Sequence, residues 1–410
     1  MKMSIALDEK SKPLRSKFHR NPSMMEINGI GNLPRDLIIE ILSRLPVKVL
    51  SKFRCVSKEW FDLLTYDHHF IHQHIQQSKK NPIFLFRKYA SSTETKLGIN
   101  DNVIVELTGS NFSGDLVTKI DAPVGGPVNT FTSSGPLVVL ICPYRIYVCN
   151  PGTQEFIRVP VSSTMSRYCT VGFGRCCFSD DDEYKIVHLF PGETFVVGPN
   201  DQGLKCEIFS LKNGRPNLDS GEWRKIRDCP YKIQTHGLSV SVGGFIYWMI
   251  SDESNDLNNK SILSFNLETE EFEIITYPKC YSGQEQQSSI FLTGYKNCLC
   301  LVDTNSSRTS SSSSSSAMDI WLLKDRKKKI WVKEGSFNLS RLGGNNDVNH
   351  RIKGVVPCSE NDVGIIIFNT EQHGLIEYDV VTNGFRKIKT ESVESHNKLP
   401  CIYYDGFFSL

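Results

Sequence analysis

A turn that recurs at long intervals constrains this chain more than any other feature. Asn150-Pro-Gly-Thr153-Gln-Glu-Phe156, Asn266-Leu-Glu-Thr269-Glu-Glu-Phe272 and Asp379-Val-Val-Thr382-Asn-Gly-Phe385 share one pattern. Each reads as a polar hairpin turn followed by a strand anchored by an aromatic side chain. Trp223, in Glu222-Trp-Arg-Lys-Ile226, and Trp331, in Lys329-Ile-Trp-Val-Lys333, take the aromatic place in two further positions. The successive anchors Phe156, Trp223, Phe272, Trp331 and Phe385 are 67, 49, 59 and 54 residues apart. That period suits the blades of a β-propeller. The 328 residues from Ile83 to Leu410 hold between five and six such units. Short β runs bounded by Gly, Asn, Asp and Pro agree, among them Ile83 to Phe86, Leu137 to Cys142, Phe245 to Ile250 and Gly364 to Phe368. Cys298 and Cys300 alternate onto one face of such a run, as small buried apolar residues do.

Before Asn81 the period is helical. Pro34 suits a first helical position and Asp36 the first turn, where a negative charge meets the positive end of the helix. Leu37, Ile38, Ile41, Leu42 and Leu45 follow at spacings of three and four residues, a stripe too broad for a surface helix. Pro46 ends that helix and opens a second with Val47, Leu50 and Phe53. Ser57 caps a third with Trp60, Phe61 and Leu64, and Asp67 begins a fourth with Phe70, Ile71 and Ile75. So small a segment cannot bury this much apolar surface by itself, and a partner protein is implied. Residues 1–29 are polar and basic-leaning, which predicts a disordered tail. Asp8 and Glu9 argue against a mitochondrial presequence there, and Met24 or Met25 is an alternative start. The resulting division is a tail over 1–29, a helical module over 30–77, a linker over 78–82 and the β domain over 83–410. The Ser-rich stretch 305–317 is expected to be a mobile loop inside the β domain.

Charge and composition remove several function classes. The 47 Lys and Arg against 45 Asp and Glu give a net charge of +2, with no single-sign field for nucleic acid or anionic lipid. No run approaches the length that spans a bilayer and no secretory signal opens the chain, so a soluble intracellular protein is expected, with Asn111, Asn259, Asn305 and Asn338 unglycosylated. The 13 cysteines follow no disulfide framework and no zinc spacing, so they are expected to be reduced. His68 and His72 have the spacing of a metal pair but no Glu or Cys beside them, and no metal or cofactor is expected. The basic run Lys324-Asp-Arg-Lys-Lys-Lys329 lies between two strand-like pieces and reads as a charged hairpin turn before it reads as a nuclear signal. Neither a nucleophile elbow, a metalloprotease helix, a P-loop nor a dinucleotide fingerprint is present; Gly172-Phe-Gly174 lacks the third glycine.

Leu33-Pro34-Arg-Asp-Leu37-Ile-Ile-Glu-Ile41-Leu42-Ser-Arg-Leu45-Pro46 through Leu50 to Val56-Ser57-Lys-Glu-Trp60 closely resembles the F-box. The remainder resembles the F-box-associated domain of plant F-box proteins, through Asn150-Pro151-x-Thr153, Gly172-Phe173-Gly174, Tyr184-Lys185-x-Val187, Gly244-x-x-Tyr247-Trp248, Phe265-x-Leu267-Glu268-x-Glu270-x-Phe272, Asp319-x-Trp321 and Tyr378-Asp379. It departs at Cys149, where a Trp is common, and in the Ser tract. The resemblance implies a mainly β chain of the α+β class, a small helical F-box followed by a kelch-like β-propeller of five to six blades. The double glycine Gly243-Gly244 fits that form. It also implies a non-catalytic substrate receptor of a Skp–cullin–F-box ubiquitin ligase, cytoplasmic or nuclear. A Skp-type adaptor would dock on the F-box and bring cullin, and the propeller would hold an unknown target protein. Leu33, Pro34, Ile41, Leu42, Leu45, Pro46, Leu50, Val56 and Trp60 are the expected adaptor contacts, while Leu37, Phe53 and part of Trp60 are the alternatives for holding the F-box together. The competing readings are an F-box scaffold outside any ligase and a propeller enzyme.

Overall fold

The residue that opens each repeated turn is what folds it. Asn150 Oδ1 accepts from the backbone N–H of Gly152 at 3.0 Å and of Thr153 at 3.4 Å. Asn266 Oδ1 does the same for Glu268 at 2.8 Å and Thr269 at 3.3 Å. Asp379 Oδ1 accepts from Thr382 N–H at 3.3 Å, and the Thr382 hydroxyl donates to Asp379 Oδ2 at 2.8 Å. These side chains stand in for a backbone turn. A further copy appears at Asp325, whose Oδ1 accepts from Lys328 N–H at 2.9 Å six residues before Trp331. The basic run is thus one more of these hairpin turns. Gln154, Glu270 and Lys329 follow at matching places with φ of 62°, 59° and 56°, the left-handed step that returns the chain to the next strand.

The computed structural model describes residues 33–89, 102–110, 116–125, 128–142, 144–162, 169–177, 183–191, 203–212, 215–216, 222–233, 239–250, 261–278, 290–304, 317–338, 352–357, 365–370, 374–379, 382, 384–388, 401–408 and 410. The expected tail over 1–29 and nearly all of the Ser-rich stretch fall outside the described residues. Four helices come first: α1 (Arg35–Leu42), α2 (Val47–Phe53), α3 (Lys58–Tyr66) and α4 (His68–Lys79). Ser57 Oγ accepts from Trp60 N–H at 3.3 Å and Asp67 Oδ1 from Phe70 N–H at 2.8 Å, capping α3 and α4. Pro34 and Pro46 precede α1 and α2 and offer no side-chain cap. Pro34 therefore stands just before the first helical position rather than in it.

The strands follow in six sheets. They are β1 (Ile83–Tyr89), β2 (Asn102–Ser110) and β3 (Leu116–Gly125); β4 (Thr130–Ser134), β5 (Leu137–Cys142), β6 (Arg145–Asn150) and β7 (Glu155–Arg158); and β8 (Thr170–Arg175), β9 (Glu183–Phe190), β10 (Lys205–Lys212), β11 (Arg215–Pro216) and β12 (Arg224–Lys225). Next come β13 (Val240–Val242), β14 (Phe245–Met249), β15 (Ser261–Asn266) and β16 (Phe272–Thr276), then β17 (Ile290–Tyr295), β18 (Cys298–Asp303), β19 (Ala317–Asp325) and β20 (Ile330–Asn338). The last are β21 (Ile352–Pro357), β22 (Ile365–Thr370), β23 (Gly374–Asp379), β24 (Gly384–Lys387) and β25 (Cys401–Tyr403). In the third sheet the outer place is split, since β11 and β12 both pair with β10. The first strands β25, β4, β8, β13, β17 and β21 lie side by side in that order, so the sheets are the blades of a six-bladed propeller.

Its core lies between blades rather than within them. One cluster joins β1–β3 to β4–β6, a second joins the second blade to the third, and three more continue the series to β23. The aromatic anchors feed these clusters: Phe156 stacks on Tyr147 at 5.2 Å, Phe272 meets Phe265 at 4.8 Å and Phe385 stacks on Tyr378 at 4.6 Å. The two tryptophan anchors add a bond to the blade before. Trp223 Nε1 donates to Pro160 O at 2.8 Å and Trp331 Nε1 to Thr276 O at 2.9 Å. Gly172 is required where blades three and four meet, because a Cβ there would stand 2.4 Å from Trp248 Cζ2. We predict that Gly172→Ala costs about 1–3 kcal/mol in chemical denaturation, by forcing a buried indole aside.

The ring is closed by a strand from the far end of the chain. β25 pairs with β1 (Ile83↔Tyr403, Leu85↔Cys401) and becomes the innermost strand of the first blade. Because neighbouring strands are antiparallel, the first-to-second turns of blades two to six, the third-to-fourth turns, and in blade one the end of β25 and the start of β1 lie on one face of the ring. The helices sit on that face. A Cβ on Gly152, in the third-to-fourth turn of blade two, would lie 3.1 Å from Val47 Cβ of α2. We predict that removing residues 401–410 converts the single cooperative melt of the β domain into a broad transition at lower temperature; a sharp melt at the original temperature would reject closure through β25.

Candidate functional site

Helix α1 divides its apolar side chains between two sides. Ile38, Ile39 and Leu42 are buried with Val47, Leu50, Trp60, Leu63, Leu64 and Phe70 in one cluster. Leu33, Leu37 and Ile41, spaced four apart, are 41%, 49% and 52% exposed. Residues four apart stack along one face of a helix, so Leu37 and Ile41 lie together on the outer face of α1, and Leu33 is exposed just before its start. Val49 and Val56 are also exposed on and after α2, as are Pro34 and Pro46, and Leu45 is half-buried.

Of the nine expected adaptor contacts, Leu33, Pro34, Ile41, Pro46 and Val56 are exposed and Leu45 is partly so. Leu42, Leu50 and Trp60 are placed otherwise, buried in the helical core, because the i, i+3, i+4 stripe is wide enough to cover both sides of a short helix. Leu37 is the reverse case, expected to hold the helices together and found exposed, while Phe53 meets Trp60 edge-on at 5.4 Å. Sequence reasoning did not single out Val49 or the outward side of Leu37. The i, i+4 relation to Leu33 and Ile41 was the available signal for Leu37.

The opposite face of the ring is where the second-to-third connections and the blade-to-blade connections begin and end. The segments 192–202, 251–260, 305–316, 339–351 and 389–400 all join strand ends on this face and lie outside the described residues. The helices and the strand ends that these connections join therefore lie on opposite faces.

Among the described residues no group of three His, Cys, Asp or Glu side chains comes together to hold a metal ion. Burial pushes the thiols of Cys142 and Cys401 up to about 12 and those of Cys176 and Cys229 to about 11, away from the range of a reactive thiolate. His188 and Glu207 form a buried cross-strand pair at 2.7 Å, with the imidazole stacked on Phe190. Burial lowers the affinity of His188 for a proton, but Cys169 and Glu207 beside it outweigh that and raise it.

His74 on α4 titrates in the opposite sense. Its Nε2 lies 2.9 Å from the Leu45 carbonyl, which assigns the proton to that nitrogen, and its ring packs near Phe70 and Phe407. Burial pulls its pKa below the usual histidine range, and the Leu45 carbonyl and the Asp405 charge recover only part of the loss. The unfolded chain takes up this proton near pH ~6.5 while the folded chain resists it, so stability falls as pH drops below that value. The Asp405 charge acts on His74, and the Arg54 guanidinium lies over the Phe407 ring that packs beside it. We predict that the melting temperature of the helical module declines between about pH 7 and pH 5 and that His74→Gln removes most of that slope.

Residues 77–407 match the family described as the F-box associated beta propeller domain, and residues 30–72 match the F-box domain. Among curated relatives, F-box protein CPR1 of Arabidopsis thaliana is 26% identical over 330 residues, covering 72% of this chain and 70% of that protein. F-box protein At1g30790 of the same plant is 25% identical over 397 residues, covering 90% of this chain and 92% of that protein.

Proposed function

We propose that this chain, which belongs to the F-box-associated β-propeller family of plant F-box proteins, is the substrate-recognition subunit of a Skp–cullin–F-box ubiquitin ligase. Residues 30–77 are the unit that docks the Skp-type adaptor, which brings cullin, and residues 83–410 are the target receptor. The observation that carries this reading is the exposed apolar pair Leu37 and Ile41 on a helix whose other side is packed, with Leu33 exposed just before it. The adaptor-contact set becomes Leu33, Pro34, Leu37, Ile41, Leu45, Pro46, Val49 and Val56, with Leu42, Leu50 and Trp60 supporting it from beneath. The target protein binds on the far face, reached by the long connections between strands.

No side chain of the receptor has to take part in bond chemistry. Holding a target beside a charged ubiquitin carrier raises its effective concentration, and geometry alone supplies the acceleration. The inert buried thiols agree with a binding role.

Affinity for a purified Skp-type adaptor tests the docking face. Leu37→Ala combined with Ile41→Ala should weaken binding by about 30- to 1,000-fold, the loss of a ~2–4 kcal/mol hot spot, with the melting temperature little changed. Leu50→Ala should instead destabilise the helices by about 2–5 kcal/mol, because it empties a packed site. Unaltered adaptor affinity in the folded double variant would sink this assignment.

A further inference from the structure

The core of the helical module contains one residue from far outside it. Phe407 is buried among Ile38, Ile39, Leu42, Val47 and Phe70, with its ring 6.5 Å from Phe70 and 6.1 Å from His74. Its neighbour Phe408 turns the other way, into the cluster between blades two and three, where it meets Tyr184 edge-on at 4.9 Å. Successive side chains of an extended segment point to opposite sides, so this dipeptide pins one body with each ring.

Polar contacts lock the same segment on both sides. Pro46 gives α2 no cap, and Asp405 supplies one from 358 residues away, its Oδ2 accepting from Val47 N–H at 2.8 Å. The other Asp405 oxygen lies 3.0 Å from the buried Tyr403 hydroxyl, which itself accepts from Gly152 N–H at 2.9 Å. Asn150, wholly buried, donates through Nδ2 to the carbonyls of Gly406 at 3.0 Å and Phe408 at 2.8 Å. Gly406 passes between Pro136 of blade two and Ile75 of α4, and Leu410 N–H donates to Glu155 Oε2 at 2.8 Å.

We propose that the segment Tyr403–Phe408 is a positioning strap that fixes the orientation of the F-box on the propeller, with Asp405 and Phe407 as its grips on the helices, Tyr403 and Phe408 as its grips on the ring, and Asn150 of β6 as the ring side chain that holds its backbone. This inference rests on the ligase reading only for its consequence: the strap sets the direction in which a target on the far face is presented to a carrier held through the adaptor. The strap continues directly from β25, so one stretch both closes the ring and holds the helices. Side-chain packing on both bodies, together with a helix cap shared across them, leaves the junction no free hinge.

The full chain carrying Asp405→Ala with Phe407→Ala tests it, since β25 and Phe408 remain in place. Three measurements are made with and without a purified Skp-type adaptor: melting of the β domain, hydrogen exchange of the α2 amides, and the small-angle scattering distance distribution. The expected result is an unchanged β-domain melt, exchange at Val47 to Leu50 faster by about tenfold or more, and a broadened distance distribution. If the double variant does not fold, Asp405→Ala alone, which keeps the Phe407 ring in place, decides by the same readings. A distance distribution and exchange rates matching the wild type would overturn the strap. Failure of the wild type to bind any adaptor would overturn the ligase reading instead, and the strap would still be judged on the free chain.

Discussion

Pairing of β25 with β1 is the contact on which the rest of the structure depends. A propeller has no single central core; each apolar cluster exists only because two blades face each other. Until the innermost place of the first blade is filled, β1 presents an open edge and the ring has two ends. Cys401, Ile402 and Tyr403 fill it from the opposite end of the sequence. The same stretch delivers Asp405 and Phe407 to the helices, so one segment closes the ring and seats the F-box.

Much of the β architecture is written locally. An Asn or Asp with a Thr three residues later makes a turn by bonding its own backbone, and a Phe or Trp six residues on is committed to the cluster beyond. That chemistry needs no distant partner, which is why it shows in the sequence. Five anchors mark five of the six blades, because β3, the outer strand of the first blade, carries no aromatic residue, while length divided by the period allows five or six. The basic run Lys324–Lys329, expected as a charged hairpin turn, is one, and Asp325 folds it as Asn150 and Asn266 fold theirs.

The F-box was readable as a motif but not as a surface. Periodicity identifies apolar positions on α1 without saying which side meets its own core, so Leu37, expected inside, is exposed and Leu42, expected at a partner, is buried. Nor could spacing reveal Asp405 or Phe407. Their partners lie hundreds of residues away, in contacts decided by how the ring closes. The absence of a side-chain cap at Pro46 was the visible sign that something else must satisfy the start of α2.

The proposed function rests on the separation of two faces. The helices expose a stripe of apolar side chains on one side of the ring, and the long connections leave strands on the other, with a buried junction between them. The most direct measurement of this account is co-purification of the wild-type chain with a Skp-type adaptor and cullin, followed by light scattering on the eluted species. The account predicts a single assembly containing one copy of each; a folded chain that elutes alone, with adaptor and cullin elsewhere, contradicts it.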